Sequence, residues 1–513
     1  MFSTITTGSI HGISSILMQV EVDIARTMPA FDMVGMLSQE VKEARERVRV
    51  ALRNSGIVLP PVHITVNISP ANIRKEGTAY DLPIAVGVLV SLGHIPVEYV
   101  KDTCMIGELG LNGEIKPVRG VLPIVREAKE KGIKVCLLPM ENAAEGAVIE
   151  GIRIIGIEDF LQVVDYFSVK DNPAYQETRV DRVGLFQKGV EEEEDFQDIV
   201  GQEACKRAAL IAAAGFHHMA VSGPPGAGKT MIARRIPGIL PPLTLEESLE
   251  VSAIYSVSGL LDSKRCLITS RPFLAPHHTV TAATLSGGGM IPRPGLFSLS
   301  HRGVLFLDEL PEFNRDCIEV MRQPLEEKKI QISRMHGTYF YPADFMLIAA
   351  SNPCPCGFYP DRSRCHCTEK EIRRYQNKIS GPIRDRIDLN VAVEKVDIKA
   401  LNAKRGSVSS SQMREHVMQA RMMQEKRFSG STLRFNSDIS SREIRMFCPL
   451  GTSETSYMEK IYDRMNLSAR SYHKILKVAR TIADLDGSNE IHMEHLAEAV
   501  CYQIQEGGNR DAG

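Results

Sequence analysis

Apolar positions in the first 168 residues follow two periods. Runs of β-branched and aliphatic residues at 63–67 and 134–139 predict strands. Between them, apolar residues recur three or four positions apart, which predicts helices over 79–92 and 120–131. Strands that alternate with helices are typical of an α/β domain. We therefore predict an α/β domain over residues 1–168.

The pattern changes further along the chain. Residues 169–198 are polar and weakly periodic, with an acidic run at 191–194, and predict a solvated linker. Residues 199–392 alternate helix, strand, glycine-rich loop and further strands, as in a parallel-sheet nucleotide-binding domain. Residues 393–513 have helical spacing and predict a small bundle. Its predicted core positions are Ile461, Met465, Ile475, Val478, Ala479 and Ile482.

Charge and cysteine usage narrow the class of protein. The 513 residues carry 61 basic and 63 acidic side chains, which argues against a histone-like binder but leaves a local basic patch open. Glu21 and Asp23 interrupt the first apolar stretch, and no apolar run reaches the ~18 residues of a membrane span. Seven of the 11 cysteines are scattered singly, as in reduced cytosolic proteins. We expect a cytoplasmic protein without a membrane segment.

A glycine-rich loop follows the apolar strand predicted at 217–222 and leads directly into a helical pattern. Glycines let backbone N–H groups turn towards phosphate oxygens, and the helix N-terminus adds a partial positive charge. Lys229 can reach the β- and γ-phosphates, and Thr230 can ligate Mg²⁺. A purely structural turn is the alternative. The predicted ATP-binding residues are Gly223, Pro224, Pro225, Gly226, Ala227, Gly228, Lys229 and Thr230.

Two more apolar strands end in polar side chains. The run at 304–309 delivers Asp308 and Glu309 to the carboxyl edge of a parallel sheet, where ligands bind. Asp308 would hold the Mg²⁺ shell, and Glu309 would polarise the attacking water. The run at 345–352 ends at Asn352, which either contacts the γ-phosphate or caps its strand. The sequence therefore predicts an ATP hydrolase.

These motifs together resemble an AAA+ ATPase. The segments at 271–278, 287–289 and 300–304 resemble its magnesium-chelatase-like branch, and within that branch the YifB/ComM group of competence-related proteins. The resemblance covers nearly the whole chain. It implies an N-terminal Lon-protease-like α/β domain, a central AAA+ P-loop domain and a C-terminal helical lid. The family motif Pro-Gly-Glu-Ile-Ser, in a loop implicated in substrate contact, is altered at 294–298.

The resemblance adds two arginines to the site. Arg386 matches the arginine finger that reaches a neighbouring subunit's γ-phosphate, with Arg384 as a rival, and Arg470 matches the sensor-2 residue of the lid. A guanidinium suits both roles because its charge is permanent and its donors are forked. Outside the family context, a surface salt bridge is the simpler interpretation. A finger that acts on a neighbour implies a homo-oligomer, by resemblance a hexameric ring.

Four cysteines, Cys354, Cys356, Cys365 and Cys367, fall within one short segment. Four thiolates in a reduced compartment suit tetrahedral Zn²⁺, although Cys-x-Cys pairs are less usual than Cys-x₂-Cys. His366 is a spare ligand, and a redox pair is the alternative. Related ComM-type proteins carry a similar cluster. We predict a zinc-binding insertion over 353–368 that stiffens the link between Asn352 and the subunit interface.

Segments at 66–71, 74–82, 107–113 and 132–139 resemble the Lon-type peptidase domain, whose catalysts are a serine and a lysine. Alignment with the family motifs places Ala79 at the serine position and Leu122 at the lysine position. Thr78 and Lys116 lie nearby, so a shifted alignment is the alternative. The resemblance implies a domain for oligomerisation or substrate guidance, and we do not expect peptidase activity.

Residues 328–341 predict a β-hairpin with its turn at His336 and Gly337. By resemblance, this hairpin faces the ring pore. Lys329 and Arg334 could contact a phosphate backbone, and Tyr339 or Tyr341 could stack on bases. An ordinary solvated hairpin is the alternative.

The leading functional hypothesis rests on the resemblance. It is a DNA helicase or translocase that promotes branch migration during homologous recombination in natural transformation. The alternative is a magnesium-chelatase-like motor that remodels a protein partner. An ATP-dependent protease is disfavoured by Ala79 and Leu122, and a nucleotide-gated scaffold is disfavoured by Lys229, Asp308 and Glu309.

Overall fold

The computed structural model describes residues 2–188, 194–262, 264–289, 292–334, 337–395 and 408–503. Strands and helices alternate in its N-terminal part, as the periodicity predicts. The strands there are β1 (Phe2–His11), β2 (Ser14–Ala25), β3 (Ala30–Val34), β4 (His63–Ser69), β5 (Thr103–Met105), β6 (Glu108–Leu109), β7 (Ile115–Lys116), β8 (Val135–Pro139) and β9 (Arg153–Ile157). The helices are Gln39–Asn54, Asp81–Leu92, Val97–Val100, Val121–Glu130, Met140–Ala147 and Phe160–Tyr166.

Seven of these strands form a mixed sheet in the order β3-β4-β2-β1-β5-β8-β9. β1 and β2 pair antiparallel over their whole length, and His11 lies opposite Ser14, so Gly12 and Ile13 form the tip of their turn. The helix Asp81–Leu92, predicted at 79–92, is buried on all sides, which accounts for its almost uninterrupted apolar sequence. The carboxylate of Asp81 is matched there by Arg47, whose Nε lies 2.6 Å from Asp81 Oδ2.

The segment predicted as a linker, 169–198, contains a short helix, Arg182–Lys188. Leu185 and Phe186 pack against an apolar cluster of the N-terminal part, so this part of the predicted linker is packed rather than solvated. Most of the acidic run, residues 191–193, lies outside the described residues. Glu194 is described, and its Oε2 accepts a hydrogen bond from Arg235 at 2.8 Å.

A second, parallel sheet forms the centre of the chain, in the order β11-β14-β17-β10-β18. The strands of this part are β10 (Met219–Ser222), β11 (Phe273–Leu274), β12 (Gly287–Gly288), β13 (Arg293–Pro294), β14 (Val304–Leu307), β15 (Lys329–Arg334), β16 (Gly337–Pro342), β17 (Met346–Ser351) and β18 (Leu389–Ala392). Its helices are Glu203–Gly215, Lys229–Ile239, Leu245–Ser258, Ala282–Ser286, Leu296–Leu299, Arg315–Val320, Arg322–Glu327, Glu369–Gln376 and Gly381–Arg384. The strands predicted from 217, 304 and 345 are therefore present as β10, β14 and β17.

The C-terminal part is helical, as predicted. Its helices are Ser410–Arg427, Ile444–Phe447, Thr452–Arg464, Ala469–Leu485 and Met493–Cys501. Ile475, Val478, Ala479 and Ile482 are buried, whereas Ile461 and Met465 are partly buried. Residues 396–407 and 504–513 of the predicted bundle lie outside the described residues.

The helical part shares one apolar core with the parallel sheet. Met219 and Ile348 of the sheet and Ile475 of the helix Ala469–Leu485 belong to the same cluster of buried residues. A buried polar bridge crosses this interface, because His217 lies 3.2 Å from Asp388 through Nδ1 and 2.8 Å from Thr481 through Nε2. Paired polar groups of this kind specify one docking arrangement, since an unpaired buried partner costs about 1–3 kcal/mol.

Among the described helices, none combines the length and apolar character that crossing a bilayer requires.

Candidate ATPase site and pore hairpin

The glycine-rich loop joins β10 to the helix Lys229–Ile239. Gly226 and Gly228 have φ of +75° and +89°, values that side chains disfavour, and this geometry turns the loop back onto the helix N-terminus. The ammonium of Lys229 donates to Gly223 O at 2.5 Å and to Asn352 Oδ1 at 2.8 Å. Burial lowers the pKa of Lys229, and the nearby Asp308 and Glu309 oppose that shift. Lys229 and Asn352 therefore meet at the loop.

Asp308 lies at the same edge of the sheet. Its Oδ2 accepts a hydrogen bond from Thr230 Oγ1 at 2.9 Å, and its Oδ1 accepts one from the backbone N–H of Glu309 at 3.0 Å. A hydroxyl next to a carboxylate offers the hard oxygen ligands that Mg²⁺ prefers. The pair thus fits the cation that accompanies a bound nucleoside triphosphate.

Glu309 is the next residue and occupies the left-handed region, with φ of +51°. Its carboxylate is half exposed and faces the imidazole of His278, with Oε2 3.9 Å from Nδ1. His278 belongs to the run 271–278, which resembles the family motif. The sequence alone indicates no partner for this side chain. The structure places this imidazole beside the proposed catalytic carboxylate.

The two arginines taken from the resemblance lie together at a different place. Arg386 is buried, and its guanidinium pairs with Glu326 and donates to Pro382 O. Arg470 is half exposed, and its Nη2 lies 3.8 Å from the same carboxylate of Glu326. Burial, with the charges of Arg470 and Arg322, lowers the pKa of Arg386 to about 10. Glu326 is therefore the common carboxylate partner of both arginines, and the sequence alone did not indicate it.

The sheet separates Arg386 from the glycine-rich loop of its own chain. β18 runs parallel to β10, with Leu389 opposite Met219 and Ala392 opposite Ser222. Arg386 precedes β18 and so lies at the amino edge, whereas the loop follows β10 at the carboxyl edge. The rival, Arg384, donates instead to Gln376 O and does not share Glu326 among its described contacts.

The four clustered cysteines converge on one point. All four sulfur atoms lie within 4.8 Å of one another. Cys354 Sγ is 3.3 Å from Cys356 Sγ and 3.7 Å from Cys365 Sγ. Tetrahedral zinc with Zn–S bonds of about 2.3 Å sets its ligands about 3.8 Å apart, so the cluster has the right size. The backbone N–H of Phe358 and the neighbouring thiols lower the pKa of Cys356 to about 6, whereas burial raises the pKa of Cys365.

The cysteine loop packs against the glycine-rich loop. A Cβ added at Gly357, where φ is +83°, would lie 2.6 Å from Pro225 Cδ. The loop also begins directly after Asn352, and Gln376 Nε2 anchors it through Pro353 O at 3.2 Å. A group that holds the four sulfur atoms in place would therefore also support Pro225 and Asn352.

β15 and β16 form the predicted hairpin, although the predicted turn residue His336 lies outside the described residues. Ile330, Ile332 and Tyr341 face inward and are buried, and Tyr341 donates to Pro292 O at 2.8 Å. The proposal that Tyr341 stacks on bases is therefore wrong, because alternation along β16 turns that ring into the core. Phe340, its neighbour, is the side chain that faces outward.

The outward face of this hairpin is cationic and aromatic. Phe340 is 50% exposed, and Lys329 Nζ lies 5.5 Å from its ring centroid. Arg334 is exposed at the end of β15 but lies on the face of Ile330 and Ile332. Its Nε donates to Gly289 O at 3.2 Å, which joins the hairpin to the neighbouring β12–β13 pair. Tyr339 lies on the inward face and contacts His11 of the N-terminal part, with ring centroids 4.9 Å apart.

Comparison with known families and proteins accounts for this combination of parts. Family models described as magnesium chelatase subunit ChlI, subunit ChlI of Mg-chelatase and the ChlI C-terminal region match residues 195–401, 20–142 and 407–503. Competence protein ComM of Haemophilus influenzae is 38% identical over 494 residues, covering 96% of this chain and 95% of that protein. Protein YifB of Escherichia coli is 39% identical over 503 residues, covering 98% and 97%.

The chain belongs to the YifB/ComM family of magnesium-chelatase-like AAA+ proteins. Membership of this YifB/ComM family implies ATP and Mg²⁺ as cofactors, which suits the loop at Lys229 and the Thr230–Asp308 pair. The α/β, parallel-sheet and helical layout of the chain also agrees with the fold expected from the sequence.

The N-terminal part of this YifB/ComM chain resembles a peptidase. Lon protease 2 of Bacillus subtilis is 29% identical over 169 residues, covering 30% of each chain. Leu122, aligned with the catalytic lysine, is buried at the start of the helix Val121–Glu130. The nearby hydroxyl of Thr78 is held by the carboxylate of Glu108, whose cross-strand partner is Lys116.

Proposed function

We propose that this protein is a ring-forming ATPase that moves along DNA and promotes branch migration in homologous recombination during natural transformation. The observation that carries the proposal is the hairpin β15–β16. It presents Lys329 and Phe340 outward, and residues 329–342 include no acidic residue. Cations that attract phosphates and an aromatic ring that stacks on bases are the usual elements of single-strand binding.

The hairpin is joined directly to the ATPase site. β16 leads through three residues into β17, and Asn352 follows β17 directly and lies beside Lys229. A change at the γ-phosphate can therefore reach the hairpin along one short strand. The name of the Haemophilus influenzae relative, a competence protein, supports a role in the handling of incoming DNA.

In the proposed hydrolysis, Lys229 binds the phosphates, Asn352 orients the γ-phosphate, and Glu309 polarises the attacking water. Mg²⁺ held by Thr230 and Asp308 would neutralise phosphate charge. Arg386 and Arg470 would act on the ATP of the next subunit, which requires a ring, and we propose a hexamer. The chemistry is completed only when two chains meet.

The hairpin can be tested with forked DNA. Lys329→Ala and Phe340→Ala are each expected to lower DNA-stimulated ATP hydrolysis and strand displacement, because each removes one contact from the strand. Loss of the Lys329 contact should reduce the salt dependence of single-strand affinity by about 0.7 in log–log slope. Loss of the Phe340 ring should weaken binding by about 1–3 kcal/mol without that change in slope.

Gln331→Ala is the matched control, because Gln331 is exposed on the same face and carries neither charge nor ring. Lys229→Ala provides the ATP-binding control. If the wild-type ATPase ignores DNA and no strand is displaced, the helicase proposal is wrong. The protein would then be a motor that remodels a protein partner, as in magnesium chelatase.

We further propose that the four cysteines hold a structural zinc ion. The proposed compartment is the cytoplasm, where reducing conditions keep thiols available for a metal. The sulfur separations support a tetrahedral site, and the contact of Gly357 with Pro225 makes that site a support for the ATP-binding loop.

Metal analysis of the purified protein is expected to give about one zinc per chain. Cys356→Ser should lose the metal and bind ATP more weakly, because the loop under Pro225 is no longer held. Cys501→Ser, at an exposed cysteine far along the chain, should keep both properties. Wild-type protein that contains no zinc after purification without chelators would contradict the assignment.

A further inference from the structure

The N-terminal domain touches the hairpin that we propose contacts DNA. The turn between β1 and β2 places the His11 ring against Tyr339, with centroids 4.9 Å apart and planes inclined by 35°. Ile13, at the same turn, packs on the apolar cluster that contains Ile332 and Tyr341. The contact therefore combines the ring contact of His11 with Tyr339 and the apolar packing of Ile13.

Gly12 brings the two backbones together between these side chains. Its φ is +68°, and a Cβ added there would lie 3.4 Å from Phe340 O. A longer side chain at this position would meet the β16 backbone. The turn is thus shaped to lie directly against the hairpin strand.

A second contact fixes the N-terminal domain to the body of the motor. Glu145 Oε1 accepts a hydrogen bond from Ser256 Oγ at 2.5 Å and one from the backbone N–H of Leu122 at 2.9 Å. Gly120 N donates to Ser256 O at 3.1 Å. Around these bonds, Leu122 belongs to the same apolar cluster as Ala253 of the helix Leu245–Ser258.

We propose that the N-terminal domain braces the hairpin, with His11, Gly12 and Ile13 as positioning residues for DNA strand displacement. The domain is attached to the motor at Ser256 and contacts the hairpin at Tyr339. It therefore adds support to a two-stranded sheet, an element that has little stability when isolated. The DNA part of this inference rests on the proposed function. The brace itself does not.

The brace leaves the DNA-facing side of the hairpin free. Tyr339 and Phe340 are consecutive in β16, so their side chains point to opposite faces. The N-terminal turn occupies the face of Tyr339, and Lys329 and Phe340 remain exposed on the other. A conformational change driven by ATP hydrolysis can then be transmitted to a DNA strand, because the hairpin is held rigid.

Hydrogen exchange of the full-length protein without DNA tests the brace directly. In His11→Ala, the amides of β16 should exchange about fivefold faster, the factor expected when one aromatic contact is lost. His11→Phe should restore slow exchange, because it keeps a ring against Tyr339. In a double-mutant cycle, Tyr339→Ala should add little to His11→Ala.

Gly12→Leu has a close control in Gly132→Leu. Both glycines have positive φ, +68° and +80°, but a Cβ at Gly132 meets nothing within 4 Å, whereas a side chain extended beyond Cβ at Gly12 would meet the β16 backbone. Only Gly12→Leu is expected to speed exchange in the hairpin. His11→Ala should also displace less DNA strand per ATP hydrolysed, while its ATPase rate without DNA stays at the wild-type value.

The outcomes separate the two proposals. Unchanged exchange in His11→Ala and Gly12→Leu, or equal effects of Gly12→Leu and Gly132→Leu, would overturn the brace. Faster exchange confined to the His11 and Gly12 variants supports it even if wild-type protein displaces no DNA, a result that would reject the DNA function alone. Exchange that changes while strand displacement per ATP does not would overturn the positioning role.

Discussion

Replacement of Glu309 by glutamine is expected to lower kcat for ATP hydrolysis by about 10²–10⁴-fold while ATP still binds. The amide keeps the size of the side chain but removes the carboxylate that polarises water. Lys229 and Thr230, which we propose bind the phosphates and Mg²⁺, are unchanged. Phosphate release under saturating ATP measures the first effect, and binding of a fluorescent ATP analogue measures the second.

Glu312→Gln is the matched control for this substitution. Glu312 lies three residues on and is half exposed, and it pairs with Lys378 at 3.1 Å at the surface. An exposed pair of this kind contributes about 0–1 kcal/mol, so this variant should hydrolyse ATP at nearly the wild-type rate. Similar losses in both variants, or none in Glu309→Gln, would show that the base is elsewhere.

Replacement of Arg386 by alanine is expected to lower ATP hydrolysis by about 10³-fold or more, the range for loss of an arginine finger. The reason lies in the sheet. Arg386 precedes β18 at the amino edge, and the loop follows β10 at the carboxyl edge. Four strand residues span about 13 Å, and we therefore propose that this guanidinium acts at the loop of a neighbour rather than at its own.

Mixed rings provide the decisive measurement for Arg386. Arg386→Ala and Lys229→Ala are each inactive in this scheme, but a mixture should regain part of the activity. Some interfaces then pair an intact loop with an intact arginine. Arg384→Ala, the rival position, should retain most of its ATPase activity alone. A mixture as inactive as its components would place Arg386 in its own chain's site.

The pairing of Arg386 with Glu326 adds a condition to this scheme. The guanidinium is buried in the single chain and shares one carboxylate with Arg470. In this scheme, Arg386 has to leave Glu326 before it can reach a neighbour. Subunit contact and release of the finger are therefore linked steps.

Local motifs made much of the ATPase site predictable. The loop at Gly226 and Gly228 depends on positive φ values, which glycine adopts readily. The positions of the glycines in the sequence therefore predict the conformation of the loop. The apolar runs before Asp308 and Asn352 are long enough to identify buried strands, and parallel pairing then brings their ends to one edge. The close spacing of the four cysteines likewise predicts that their thiols lie near one another.

Other features could not be predicted from spacing. Sequence placed Tyr339 and Tyr341 as candidates for stacking, but the register of β15 and β16 sends Tyr341 inward and Phe340 outward. The second strand has three consecutive aromatic residues and so does not specify its own buried face, because a shift of one residue in register reverses every side chain. The core against which the hairpin packs decides the choice.

Sequence was therefore sufficient to predict the fold class and to single out the glycine-rich loop, the acidic pair and the cysteine cluster, because each depends on neighbours close along the chain. The contacts of His11 with Tyr339, His278 with Glu309, and Arg386 with Glu326 required the folded chain. They join residues between 31 and 328 positions apart. Such pairs leave no local periodicity, and only the tertiary packing of the folded chain brings them together.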